Sequence, residues 1–116
     1  MVEKVNDYAV RKTVLIGQES YYLAVPVKLS GSANAVLKAG QPLAGDLQDR
    51  DTAFTASTSN AKGLLLHEVK LDAAGKGNGT IVIRGCFDAK KLDASIVSAI
   101  ATANIDGIVV VEGSAI

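Results

Sequence analysis

Between Lys62 and Phe87 two apolar runs stand either side of a segment crowded with turn residues. The first is Gly63-Leu64-Leu65-Leu66-His67-Glu68-Val69 and the second is Thr80-Ile81-Val82-Ile83-Arg84-Gly85-Cys86-Phe87. Leu71 to Gly79, LDAAGKGNG, joins them. A parallel pair needs a crossover of roughly a dozen residues or more, and this link is too short to hold a helix and its loops. The spacing therefore predicts an antiparallel hairpin at the centre of a small β-domain, with the glycines in its turn. The stretch also holds the only histidine and the only cysteine, so any chemistry should be visible here.

The core around that hairpin has to be aliphatic. Of 116 residues 48% are apolar, yet only three are tyrosine, two phenylalanine and none tryptophan. A chain of this length fits one domain. Twelve Lys and Arg balance twelve Asp and Glu. That balance argues against a duplex nucleic-acid binder, which needs a basic face to displace counterions. It also gives little protection against self-association, as fits a protein that works in an assembly. A single cysteine excludes an intrachain disulfide framework. No apolar stretch approaches the roughly 18 residues of a membrane span. The opening MVEKVNDYAVRK lacks the apolar centre of a signal peptide, so the expectation is a soluble protein made in the cytoplasm.

Residues 1–20 read as an arm and 21–116 as a single β-rich domain. In the arm Val2, Val5, Tyr8 and Val10 follow no clean period, while Glu3, Lys4, Asp7, Arg11 and Lys12 keep it solvated. It is either a frayed terminus or a segment that orders on a partner. Thr13 to Ile16 has the composition of a short strand. Tyr21 to Leu29 alternates most cleanly, with Tyr21, Leu23, Val25, Val27 and Leu29 on one face, as in a half-buried strand. Pro26 donates no ladder bond, which places it at an edge or a bulge. Phe54 is the one aromatic of a polar loop and should anchor it to the core. After Asp88 the pattern changes. Asp93 can cap a helix with Ile96, Val97 and Ile100 on one face and Asn104 as its stop, and Ile108 to Val111 reads as a last strand.

The constellations that invite chemistry fail on spacing. Gly75-Lys76-Gly77-Asn78-Gly79 matches neither a phosphate loop nor a dinucleotide fingerprint, because a strand rather than a helix follows it. His67 and Glu68 are adjacent on a strand and so point to opposite faces. No serine lies in a nucleophile elbow. One histidine and one cysteine make no recognisable zinc set. Asp46, Asp49 and Asp51 lack the ligand spacing of a calcium loop, since Arg50 interrupts them and Asn60 stands where the closing glutamate belongs. No catalytic residue, cofactor or metal site is expected. Arg84 is a solvent-facing alternate residue or a charge at a subunit contact, and the sequence leaves both open.

A series of motifs nevertheless resembles one family, the small capsid-decoration and head-fibre-base proteins of tailed bacteriophages. The motifs are Leu37-Lys38-Ala39-Gly40-Gln41-Pro42-Leu43, then Ala61 to Val69 as AKGLLLHEV, then Ile81 to Asp88 as IVIRGCFD, with Lys91-Leu92 and Ile108 to Val111 following in order. The similarity runs over about residues 21–112. It implies a mainly β fold with one short α-helix, a compact barrel-like or sandwich-like domain that assembles as a homotrimer. It further implies a non-enzymatic virion protein on the outer capsid surface, bound to the major capsid protein at three-fold or quasi-three-fold positions, with neither nucleic acid nor membrane as a partner. In some relatives an N-terminal arm orders against the capsid, which brings forward Glu3, Lys4, Val5, Tyr8, Val10, Arg11 and Lys12 as capsid-contacting residues. A tail, baseplate or head-fibre-base component, or a small-ligand-binding β-domain, is the alternative.

Overall fold

The computed structural model describes residues 15–16 and 22–112. Along them run β1 (Leu15–Ile16), β2 (Leu23–Ser30), β3 (Val36–Leu37), β4 (Pro42–Ala44), β5 (Thr55–Ala56), β6 (Ala61–Leu65), β7 (Val69–Lys70) and β8 (Lys76–Asp88). A 3₁₀ turn (Ala89–Lys91), helix α1 (Ala94–Ala103) and β9 (Ile108–Val111) follow. The mainly β fold with one short helix is thus present, as a curled half-barrel sheet.

Strand β8 is the axis of that sheet. In its first half Ile81 and Val82 pair with β2 on one edge and with β6 on the other. In its second half Cys86 and Phe87 pair with β1 and with β9, again on opposite edges. Strand β6 continues through β4 to β5, all antiparallel. Strands β3 and β7 form a separate two-stranded ribbon. Only β9 lies parallel to β8, reached through the 3₁₀ turn and α1.

Two covered faces explain why consecutive residues of β6 and β8 are buried. Leu65 and Ile81 belong to a cluster with Val27, Leu29, Leu43 and Phe54 inside the curl. Leu64 and Val82 belong to a second cluster with Phe87, Ile96 and Ile100, where α1 covers the sheet. Burying Ile96 and Ile100 contributes about 1.5–3 kcal/mol each, and this packing holds the ten-residue helix in place. Asn104, at φ 49°, ends it in the left-handed conformation. Asp93 occupies the N-cap position as expected, but its carboxylate makes no capping bond to the helix.

The predicted hairpin needs correction. Antiparallel pairing of the two apolar runs holds, but only at Leu64↔Val82 and Leu65↔Ile81 among strand residues. One more bond, Leu66 N–H to the Thr80 carbonyl at 2.9 Å, closes the ladder before the chain bends at Leu66 and His67. His67 is therefore off the strand, and β7 pairs with β3 instead. The turn is also shorter than the glycine cluster. Asp72 organises it, its Oδ1 accepting from Ala74 N and Lys76 N at 2.9 Å each. Gly75, at φ +76°, closes it. Gly77 and Gly79 belong to β8, opposite Leu29 and Val27 of β2.

Strand β2 keeps the expected alternation, yet burial fades along it. Val27 and Leu29 are buried, Val25 is half-buried and Leu23 is 55% exposed. A bulge accounts for this. Leu23 pairs with Arg84 but Ala24 pairs with Val82, so Ile83 is the extra residue on β8. Past it the face shared by Ile81 and Val25 runs beyond the end of the core. Pro26 is exposed on a strand that pairs with a named strand on one side only, in keeping with the edge reading.

Candidate functional surface

The residues that first suggested chemistry are not brought together. His67 and Glu68 are exposed in the segment between β6 and β7. Cys86 is half-buried on β8, paired in register with Val109 of β9 and Ile16 of β1. The two runs part at Leu65↔Ile81, and the chain to His67 heads away from the Cys86 end. From Ile81 to Cys86 alone is about 16 Å of strand. The glycines cradle no ligand either. A Cβ on Gly77 would lie 2.9 Å from Leu71 Cδ2, and one on Gly79 would lie 2.9 Å from both Leu29 Cδ1 and Leu65 Cδ1. Side chains fill the space over them, which is why a strand takes glycine here.

The aspartates of the polar loop serve its backbone. Asp46 Oδ1 accepts from Gln48 N at 2.8 Å, and Asp49 Oδ1 accepts from Asp51 N at 3.2 Å. Asp49 Oδ2 also accepts from Thr52 Oγ1 at 2.9 Å. These are local turns of the kind Asp favours. Among the described residues no three His, Cys, Asp or Glu side chains are grouped to hold a metal ion. Phe54 anchors the loop as anticipated, with 0% exposure, and its backbone bonds to β2 through Phe54 N to Lys28 O and Ser30 N to Phe54 O. An open cleft of about 390 Å³ lies beside it, and Lys28 and Asp51, 3.9 Å apart, are among the residues that line it. Both groups are well exposed, and such a pair contributes little.

One ion pair joins the first motif to the helix. Lys38 Nζ lies 2.5 Å from Asp93 Oδ2. The hydrogen bond to Asp93, and then its charge, hold the Lys38 ammonium above the ordinary lysine range. The sequence resemblance named Lys38 within its first motif but gave no hint of this partner.

On the face of the sheet turned away from α1, past the bulge, Leu23, Arg84, Cys86, Val109 and Val111 lie side by side in register. Val109 is 56% exposed and Leu23 nearly as much. Arg84 is exposed, with its aliphatic stem along the turn at Gly107, where an added Cβ would meet Arg84 Cγ at 3.1 Å. The bulge puts Arg84 on the exposed face, which fits both the solvent-facing residue and the charge at a subunit contact. Without it, Arg84 would share the side of Val82, under α1. The period-two reading missed this patch because Val109 and Val111 looked like ordinary strand residues.

The predicted capsid-contacting residues Glu3, Lys4, Val5, Tyr8, Val10, Arg11 and Lys12 lie outside the described residues. Leu15–Ile16, just after them, form a strand on β8. Among the described residues no helix is long and apolar enough to cross a membrane. No family model matches the chain, and no curated protein matches it.

Proposed function

We propose that this chain is a non-enzymatic decoration protein of a tailed-phage head, acting as a homotrimer on the outer capsid surface. The observation that carries the reading is the ordered series of motifs at Leu37–Leu43, Ala61–Val69 and Ile81–Asp88, which resembles that family. Its support is that these stretches are neighbours in space. Pro42 pairs with Leu64, and Leu64 pairs with Val82, so β4, β6 and β8 lie side by side. The resemblance therefore follows one structural unit. The exposed apolar face at Leu23, Val109 and Val111 is a feature common on chains that work in contact with others.

The physical role follows from linkage. A ligand that binds the assembled shell better than its separated subunits stabilises the shell by that difference. Three linked arms on one trimer raise the effective concentration of each, so modest contacts hold firmly. The test is to mix purified protein with undecorated expanded heads and image them by cryo-electron microscopy. New density at three-fold or quasi-three-fold positions is expected; bare heads at saturating protein would overturn the proposal.

A further inference from the structure

Strand β9 pairs with β8 along one edge, and among the described residues no strand pairs with its other edge. Its sequence, Ile108-Val109-Val110-Val111, contains no proline or charge to blunt that edge. Alternate residues of such a strand aim N–H and C=O groups outward. Here these are Ile108, whose N–H bonds back to the Ile105 carbonyl at 3.3 Å, and Val110, whose N–H and C=O face the edge.

Beside this edge runs an open cleft of about 290 Å³ between β9 and α1. Val97, Ile100 and Ala101 line it from the helix, and Ile105, Ile108 and Val110 from the strand side. Ile108 and Val110 share the face that packs toward the helix, whereas Val109 and Val111 point to the opposite face. A strand added to β9 would continue the same pleat. Every second side chain of that strand would then enter the cleft under α1, and the rest would lie with Val109 and Val111. From Ile108 to Glu112 the cleft accepts about five residues at 3.3 Å each.

The ends of the cleft carry one sign. Glu112 lines one end and Asn104 the other, at the negative end of the helix dipole. The last turn of α1 holds no basic residue to offset them, and Asp106 follows in the next turn. Charge complementarity therefore selects cationic flanks.

We propose that β9 and the cleft under α1 form an acceptor site for one extended strand of a partner protein, about five residues long, with aliphatic side chains at alternate positions and lysine or arginine at its ends. The site is a property of the fold and stands apart from the decoration reading: heads bound through another surface would leave it intact.

The experiment uses the full chain and a capped synthetic peptide, Lys-Val-Thr-Val-Thr-Val-Lys, followed by amide NMR and hydrogen exchange. Saturable shifts confined to residues 97–112, with at least about tenfold slower exchange at the outward-facing Val110 amide, are expected. A peptide N-methylated at alternate residues should not bind. Ala101→Trp, which fills the cleft, should weaken binding at least tenfold. Glu112→Lys, on an exposed position, should weaken it several-fold and remove its salt dependence, which keeps the test open should the tryptophan variant misfold. No saturable shift at millimolar peptide, or shifts centred elsewhere, overturns the proposal. So does protection of the outward-facing Val110 amide in the free protein, since Val109 and Val111 already bond to β8: protection that grows with concentration assigns the edge to a second copy, and protection at every dilution assigns it to another segment of the same chain.

Discussion

Gly31 donates its backbone N–H to the carbonyl oxygen of Gly75 over 2.8 Å, closing the β2–β8 ladder just beyond its last pair, Ser30↔Lys76. Gly75 sits at φ +76°, and a Cβ there would run into the Gly31 carbonyl oxygen. Conformation and space thus exclude a side chain for separate reasons. Gly75→Ala is expected to lower stability by roughly 2–3 kcal/mol, the range for a strained backbone that must also shift. Gly31→Ala serves as its comparison. Its Cβ would meet only the Leu71 Cδ1 methyl, at 3.0 Å, and a side-chain end can move. Urea denaturation of both variants checks the order; equal losses would refute the account.

Phe54 offers a second test, because a two-residue strand and a polar loop depend on it. Its ring is fully buried and lies against Gly45, where a Cβ would sit 2.5 Å from Phe54 Cδ2. Phe54→Ala should cost about 3–5 kcal/mol, as for other large aromatic truncations in a core. Hydrogen exchange should quicken first at Phe54 and Ser30, whose N–H groups bond across to Lys28 and Phe54. A loss below about 1 kcal/mol would mean the loop is held by something other than this ring.

The Lys38–Asp93 pair predicts a pH dependence of definite sign. The folded-state pKa of Lys38 is raised above its ordinary 10.5 by the Asp93 hydrogen bond and charge. A raised lysine pKa adds stability that is fully present below the unfolded value and is lost as pH rises through the folded one. The pair is exposed, so the effect is small. Lys38→Met should lower Tm slightly at neutral pH, and the difference from wild type should vanish as pH rises above the lysine range. Measuring both melting curves from pH 7 to 12 decides it; a difference that grows with pH contradicts the assignment.

The mainly β fold was legible because its signals are local. The alternation in β2, the start and stop of α1 at Asp93 and Asn104, and the bounds of β9 all follow from neighbouring residues. What was not legible depends on partners distant in sequence. Gly77 and Gly79 read as turn residues, yet Leu29, Leu65 and Leu71 pack over them and draw them into β8. Their period of two was the available signal, since it puts both on one strand face. The bulge at Ile83 leaves no trace in periodicity, because two covered faces make Ile81 and Val82 equally apolar. Likewise His67 leaves the strand because Val69 and Lys70 pair with Leu37 and Val36 of β3, far back in the sequence. The β9 cleft forms only when α1 folds across the sheet, so neither element alone announces it.

Removing residues 1–14 separates folding from binding on the decoration reading. Every described pairing begins at Leu15 or later, and among the described residues both core clusters are built from Tyr22 onward. The truncated chain should therefore unfold in urea with a midpoint and slope close to those of the full chain. The removed segment carries Lys4, Arg11, Lys12, Tyr8 and four valines, a mixture able to supply both charge and apolar contact. Cosedimentation with undecorated heads should show weaker binding for the truncated protein, and the deficit should be largest at low salt, where the lost charges act most strongly. Unchanged binding would move the contact to the domain itself. Loss of the cooperative transition would instead make the first fourteen residues part of the fold, and circular dichroism taken alongside the binding assay tells the two apart.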